Sequence, residues 1–198
     1  MTAIAETPVA APRSASNGWW GMVLLIATEA TLFAVLLVSY FYIRFRTSGG
    51  WPPGGIDDPK LLRASLMTVL LASSSLFVHA AEAGIRRGSQ RALVAGLSVG
   101  FVLGLAFLGL QIWETAVVAR ELTPRTDTYG SFFFTITGAH SAHLVAGLLL
   151  VAWIQVRAWF GAYSPRRHLG VQMAAIYWHF VVVAQLAIFA TLYLSPRL

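Results

Sequence analysis

The stretch FFFTITGAHSAHLVAGLLLVAWIQVRAW, residues Phe132–Trp159, decides the class of this chain. It is apolar and uncharged until Arg157, and it exceeds the roughly 20 residues a helix needs to cross a hydrocarbon core about 30 Å thick. Four more blocks share its character: Trp20–Ile43, Leu61–Ala83, Ala92–Val118 and Val171–Leu194. The five blocks occupy most of the 198 residues, so no sizeable soluble domain is left over. Composition agrees, with 57% hydrophobic residues, 11% charged and a mean hydropathy of +0.68, against about 25% charged in soluble domains. The blocks are continuously apolar rather than alternating, which argues against a β-barrel. The predicted fold is all-α, a polytopic membrane bundle of five transmembrane helices within residues 19–198, behind a flexible tail at 1–18.

The tail, MTAIAETPVAAPRSASNG, is rich in Ala, Pro and Ser. It lacks the basic segment followed by an apolar one that marks a cleaved signal peptide. The chain has no cysteine, which excludes disulfides, thiolate metal sites, iron–sulfur clusters and covalent haem attachment through C-x-x-C-H. The net charge of +6 is spread through short loops with no basic run longer than two. Such residues set membrane topology rather than bind nucleic acid. Five spans put the termini on opposite sides. Seven basic residues fall on the N-terminal side (Arg13, Arg86, Arg87, Arg91, Arg157, Arg166, Arg167). Seven fall on the other (Arg44, Arg46, Lys60, Arg63, Arg120, Arg125, Arg197). The tight second and fourth loops, GIRRGSQR and GAYSPRRHLG, hold no carboxylate, which tilts the tie toward a cytoplasmic N-terminus and an outer C-terminus.

The first span opens on GWWG and closes on YFYIRFR, an aromatic belt with Arg44 and Arg46 at the water interface. Small residues recur every four positions on two spans. Gly96, Gly100 and Gly104 mark one face of span three; Gly138, Ala142 and Ala146 do so on span four, with Gly147 beside them. This spacing lets helix backbones approach closely.

Ionisable residues inside spans mark function or buried pairing. Glu29 lies nine residues into span one, about 13 Å along the axis, hence near the midplane. A carboxyl there must be protonated, hydrogen-bonded or open to water. It reads equally as a proton-handling group or as a hydrogen-bonder served by Thr28 and Thr31. His79 and Glu82 share a face near the end of span two, and Gln111 and Glu114 near the end of span three. Snorkelling or capping accounts for both pairs. Ser73, Ser74 and Ser75 can bond back to their own helix. His140 and His143 share a face of span four, and His179 sits in span five. Three or four imidazoles can build a metal or haem site. Two from one helical face point the same way, however, and do not sandwich a porphyrin, so a haem needs His79 or His179 opposite. The other reading is buried, hydrogen-bonded imidazoles.

Laid end to end, several segments resemble subunit III of the haem–copper cytochrome c oxidases. They are GMVLLIATEATLFAVLLVSYFYIR, WPP, LASSSLFVHAAEAG, LGLAFLGLQIWE, FFFTITGAHSAHLVAGLLL and YWHFVVVAQLAIFATLYL. The most specific elements are T-G-x-H-x-x-H-x-x-x-G from Thr137 to Gly147 and the Tyr177-Trp178-His179-Phe180 run. The chain is similar to five-span forms that lack the first two of seven spans. It departs from the usual aromatic at Ala139, glycine at Ser141, Asp at Val182 and Trp at Gln185, so a His–Asp pair on one face of span five is missing.

The resemblance implies an accessory subunit of a terminal oxidase in aerobic electron transport, itself free of haem, copper and any metal, with no catalytic redox residue of its own. It implies haem and copper in partner subunits, contact with catalytic subunit I and with subunit II, structural phospholipid in a helix cleft, and support of proton uptake, in a bacterial plasma membrane. Glu29 would then be the membrane-interior carboxyl. His79, Glu82, Gln111, Glu114, His140, His143, Tyr177, Trp178 and His179 would fix packing, lipid and partner contacts. A nitric-oxide reductase or quinol oxidase accessory subunit is the near alternative. A b-type haem anchor, or a small proton-coupled transporter centred on Glu29, is the alternative of another class.

Overall fold

A computed structural model describes residues 17–48, 51–52, 61–120, 122, 125 and 127–197. The expected flexible tail lies outside the described residues up to position 16, as do Pro53 and Lys60 of the first loop. Among the described residues, five helices are long and apolar enough to cross a membrane: α1 (Asn17–Arg46), α2 (Leu61–Arg86), α3 (Gln90–Val118), α4 (Thr128–Trp159) and α5 (Leu169–Phe189). The last continues through a π-helical turn at Ala190–Leu194 and a 3₁₀ turn at Ser195–Arg197.

Helices α3 and α4 start ahead of their apolar blocks, where polar side chains cap them. The Ala92 amide donates to Ser89 Oγ (3.2 Å) at the start of α3, and the Gly130 amide donates to Asp127 Oδ1 (2.7 Å) at the start of α4. Thus α4 begins four residues before Phe132. Both α2 and α4 stop at a glycine with positive φ, Gly88 (+83°) and Gly161 (+68°). At α2 the amides of Gly88 and Ser89 return to the carbonyls of Ile85 and Gly84. At α4 those of Gly161 and Ala162 return to Ala158 and Arg157. This is the Schellman pattern, which needs a left-handed residue and so favours glycine. A Cβ on Gly88 would lie 3.6 Å from Pro165, so the two loops sit side by side at one end of the bundle. They gather Arg86, Arg87, Arg91, Arg157, Arg166 and Arg167 there.

One core joins α2, α3, α4 and α5 around the fully buried Trp178; a second joins α1, the start of α4 and the end of α5 through Phe33, Tyr40, Tyr129, Phe133 and Leu192. Lipid is as apolar as leucine, so helix association here relies on close packing and hydrogen bonds. Gly96, Gly100 and Gly104 of α3 supply close packing. A Cβ on Gly96 would come within 2.7 Å of the Phe77 carbonyl oxygen, one on Gly100 within 2.7 Å of Val78, and one on Gly104 within 2.5 Å of the Trp178 ring. Gly147 faces the same indole at 3.3 Å. Gly138 behaves differently. No neighbour lies within 4 Å of the place its Cβ would take, and Gly138, Ala142 and Ala146 all face outward. The predicted packing role for Gly138 within the chain is therefore corrected. The buried side of α4 runs through Ile136, His140, Leu144 and Gly147, across the helix from that stripe.

Candidate functional site

The Glu29 carboxyl finds its partner on another helix. His143 Nε2 of α4 lies 2.9 Å from Glu29 Oε2 of α1, while His143 Nδ1 lies 2.7 Å from the Ala139 carbonyl oxygen. A carbonyl can only accept, so Nδ1 carries the hydrogen and donates. Nε2 then either accepts a proton held by Glu29 or donates to the Glu29 carboxylate. In both cases the pair shares one proton and is neutral overall, which lowers the cost of placing two ionisable groups at this depth. Their side chains are 28% and 16% exposed for Glu29 and His143. Thr28 and Thr31 do not serve the carboxyl. Each donates to its own helix, at the Leu25 and Ala27 carbonyls, because that backbone oxygen is the nearest acceptor to a helical threonine.

Rings enclose the pair. Phe33 sits edge-on to His143 with centroids 5.0 Å apart, Phe180 lies at 6.3 Å, and the Tyr177 hydroxyl donates to the His143 carbonyl at 3.3 Å. His140, one turn away, is 1% exposed and held between Phe33 and Phe107. Neither of its ring nitrogens has a hydrogen-bond partner among the described residues. The two histidines of the signature therefore differ: one completes a cross-helix pair and the other is sealed among aromatics.

A polar seam joins α2 to α5. Trp178 Nε1 donates to Ser74 Oγ (2.9 Å), His179 Nδ1 lies 2.5 Å from Ser75 Oγ, and Gln185 Nε2 donates to Thr68 Oγ1 (3.2 Å). Ser73 and Ser74 bond back to the Leu70 and Leu71 carbonyls as expected. Ser75 instead reaches across to α5, where His179 offers a partner. Val182 is buried between these contacts, and Gln185 uses its amide on Thr68. His79 meets His179 at a ring separation of 6.1 Å, and Glu82 pairs with Arg86 at 2.5 Å along the same helix.

The carboxylate near the end of α3 is not a snorkelling group. Glu114 is buried and receives a hydrogen bond from Arg63 of α2 at 2.7 Å, and that guanidinium lies 4.6 Å over the Trp113 ring. Gln111 turns to Thr115 of its own helix. The apolar blocks gave no hint of Arg63, Ser75, Thr68 or Gln185 as partners. Matching depth on antiparallel helices is the signal that would have paired Arg63 with Glu114. Among the described residues no group of three or more His, Cys, Asp or Glu side chains is placed to hold a metal ion.

The family profile described as cytochrome c oxidase subunit III matches residues 13–196. The chain belongs to the cytochrome c oxidase subunit III family. It is 33% identical over 176 residues to cytochrome c oxidase subunit 3 of a Synechocystis strain, covering 88% of this chain and 74% of that protein. It is 32% identical over 180 residues to cytochrome c oxidase subunit 3 of Thermostichus vulcanus, covering 89% and 87%. Cytochrome bo(3) ubiquinol oxidase subunit 3 of Pseudomonas aeruginosa is 29% identical over 186 residues, covering 93% and 88%. The chain is thus a haem–copper oxidase subunit III, an integral membrane protein that works in a complex with other oxidase subunits. In subunit III terms, Glu29 and the second signature histidine form one cross-helix unit.

Proposed function

We propose that this subunit III is a non-redox accessory chain: it packs against catalytic subunit I, with subunit II in the same complex, and supports proton uptake by the catalytic subunit through repeated turnover. The observation that carries this reading is the 2.9 Å contact between Glu29 of α1 and His143 of α4, a half-buried pair whose geometry suits one shared proton. Haem and copper belong to the partner subunits in this reading. Two of the histidines have hydrogen-bond partners within the chain, His143 with Glu29 and His179 with Ser75, and His140 is packed between phenylalanines.

A structural phospholipid is part of the proposal. A cleft of about 490 Å³ lies between α4, α5 and their loop, with Leu150, Ile154 and Met173 among its apolar walls and Arg157, Arg166 and Arg167 at its rim. Such walls suit acyl chains, and such a rim suits a phosphate. Burial pushes the Tyr163 hydroxyl above its ordinary pKa, opposed by nearby Arg157, so Tyr163 is a protonated donor at neutral pH. The short loops at this end hold no carboxylate, which favours a cytoplasmic N-terminus and an outer C-terminus; the bacterial plasma membrane belongs to the same proposal.

Removing the chain from the purified oxidase tests the role. The depleted enzyme should keep its haem spectrum and initial rate yet lose activity several-fold faster during sustained turnover. Equal lifetimes with and without the chain would contradict the accessory reading.

A further inference from the structure

Most polar side chains in the run from Thr137 to Gly147 are already bonded. Thr137 and Ser141 donate to the Phe133 and Thr137 carbonyls, and His143 is paired with Glu29. His140 differs, with neither ring nitrogen bonded to a described residue. At 1% exposure it is also closed to any group outside the chain. In its neutral form an imidazole carries one N–H and one bare nitrogen. The Phe107 ring, perpendicular and 5.9 Å away, is at best a weak acceptor for the N–H. Phenylalanine has no donor for the bare nitrogen, and a buried acceptor left without one is costly.

Two further buried polar groups lie at the same level. A Cβ on Gly104 of α3 would lie 3.0 Å from Leu148 Cδ2 of α4, which sets the register of these antiparallel helices. Gln111 is seven residues onward from Gly104, about 11 Å along α3. His140 is eight residues back from Leu148, about 12 Å along α4 in the same direction. Gln111 therefore comes level with His140, one turn beyond the Phe107 that touches it. Gln111 is buried, and its amide nitrogen reaches Thr115 Oγ1 at 3.4 Å, longer than an ordinary N–H···O bond. Thr137 is buried on the His140 face of α4, three residues before it. Its hydroxyl proton goes to the Phe133 carbonyl, which leaves the Thr137 oxygen free to accept.

We infer that His140, Gln111 and Thr137 bind one internal water. The water donates to the bare His140 nitrogen and to Thr137 Oγ1, and accepts from the Gln111 amide. About three hydrogen bonds are usual for a buried water. The site links α3 to α4 through the interior, and it gives the first histidine of the run a ligand of its own, as Glu29 serves the second.

Electron cryo-microscopy of the intact complex from its native membrane, at a resolution that shows ordered waters, tests the site. Density for a water is expected about 2.7–3.1 Å from a His140 ring nitrogen and from the Gln111 amide nitrogen. A direct hydrogen bond between His140 and Gln111, or no density between them, would overturn the inference. In a Gln111→Leu complex the water density beside His140 should be lost. Unchanged density there would also overturn the shared site, and if that variant does not assemble, the wild-type map decides alone.

Discussion

Replacing Gly96 and, separately, Gly138 by alanine sets two glycines of the same sequence spacing against each other. An alanine Cβ at position 96 would meet the Phe77 carbonyl oxygen at 2.7 Å, the Ala81 Cβ at 2.8 Å and the Ala81 amide nitrogen at 3.0 Å. Two of those atoms are backbone of α2, so relief requires the helices to separate. Overpacking of this kind costs about 1–3 kcal/mol. At Gly138 the new methyl meets nothing within 4 Å. Both substitutions gain the helical preference of alanine over glycine, about 1 kcal/mol. Gly138→Ala should therefore be neutral or up to about 1 kcal/mol more stable, and Gly96→Ala should fall below it by about 1–3 kcal/mol. The assay is unfolding of the purified chain by dodecyl sulfate in mixed micelles, followed by tryptophan fluorescence. Equal midpoints for the two variants, or a lower midpoint for Gly138→Ala, would refute the assignment of close packing to the Gly96 face.

Trp178→Phe removes the donor to Ser74 and part of the ring that fills the Gly104 notch. It should cost about 1 kcal/mol for the hydrogen bond plus the void, read in the same unfolding assay. Arg63→Ala strands the buried Glu114 carboxylate and should destabilise by about 1–3 kcal/mol. Adding Glu114→Gln should recover part of that loss, and a double variant no better than Arg63→Ala would show that the pair is not coupled. Glu29→Ala should assemble into the oxidase but lose activity faster over successive turnovers. An unchanged lifetime would remove the proton-related role of that carboxyl.

The five spans were legible because a bilayer demands long apolar runs, and Phe132–Trp159 announces one without ambiguity. Their ends were less so. Asp127 and Ser89 extend α4 and α3 into polar sequence, and a hydropathy reading stops where polarity begins. The polar interior was legible by residue and not by partner. Glu29 stood out for its depth, yet His143 lies 114 positions away and the pairing depends on how α1 and α4 are rotated. Local neighbours, Thr28 and Thr31, were the natural candidates and were wrong for that reason. Gly138 shows the same limit. Spacing tells that a stripe of small residues exists, but not whether the chain or something outside it lies against that stripe. Ser75 was read as a self-bonding helix serine because the imidazole that claims it comes 104 residues later.

The accessory reading is tested most directly by purifying the chain from its native membrane in mild detergent and recording the spectrum and composition of what accompanies it. The account predicts a haem–copper catalytic subunit in the same particle, and no haem absorbance once this chain is separated from it. A chain that purifies without that subunit, or that carries a Soret band by itself, would contradict the account.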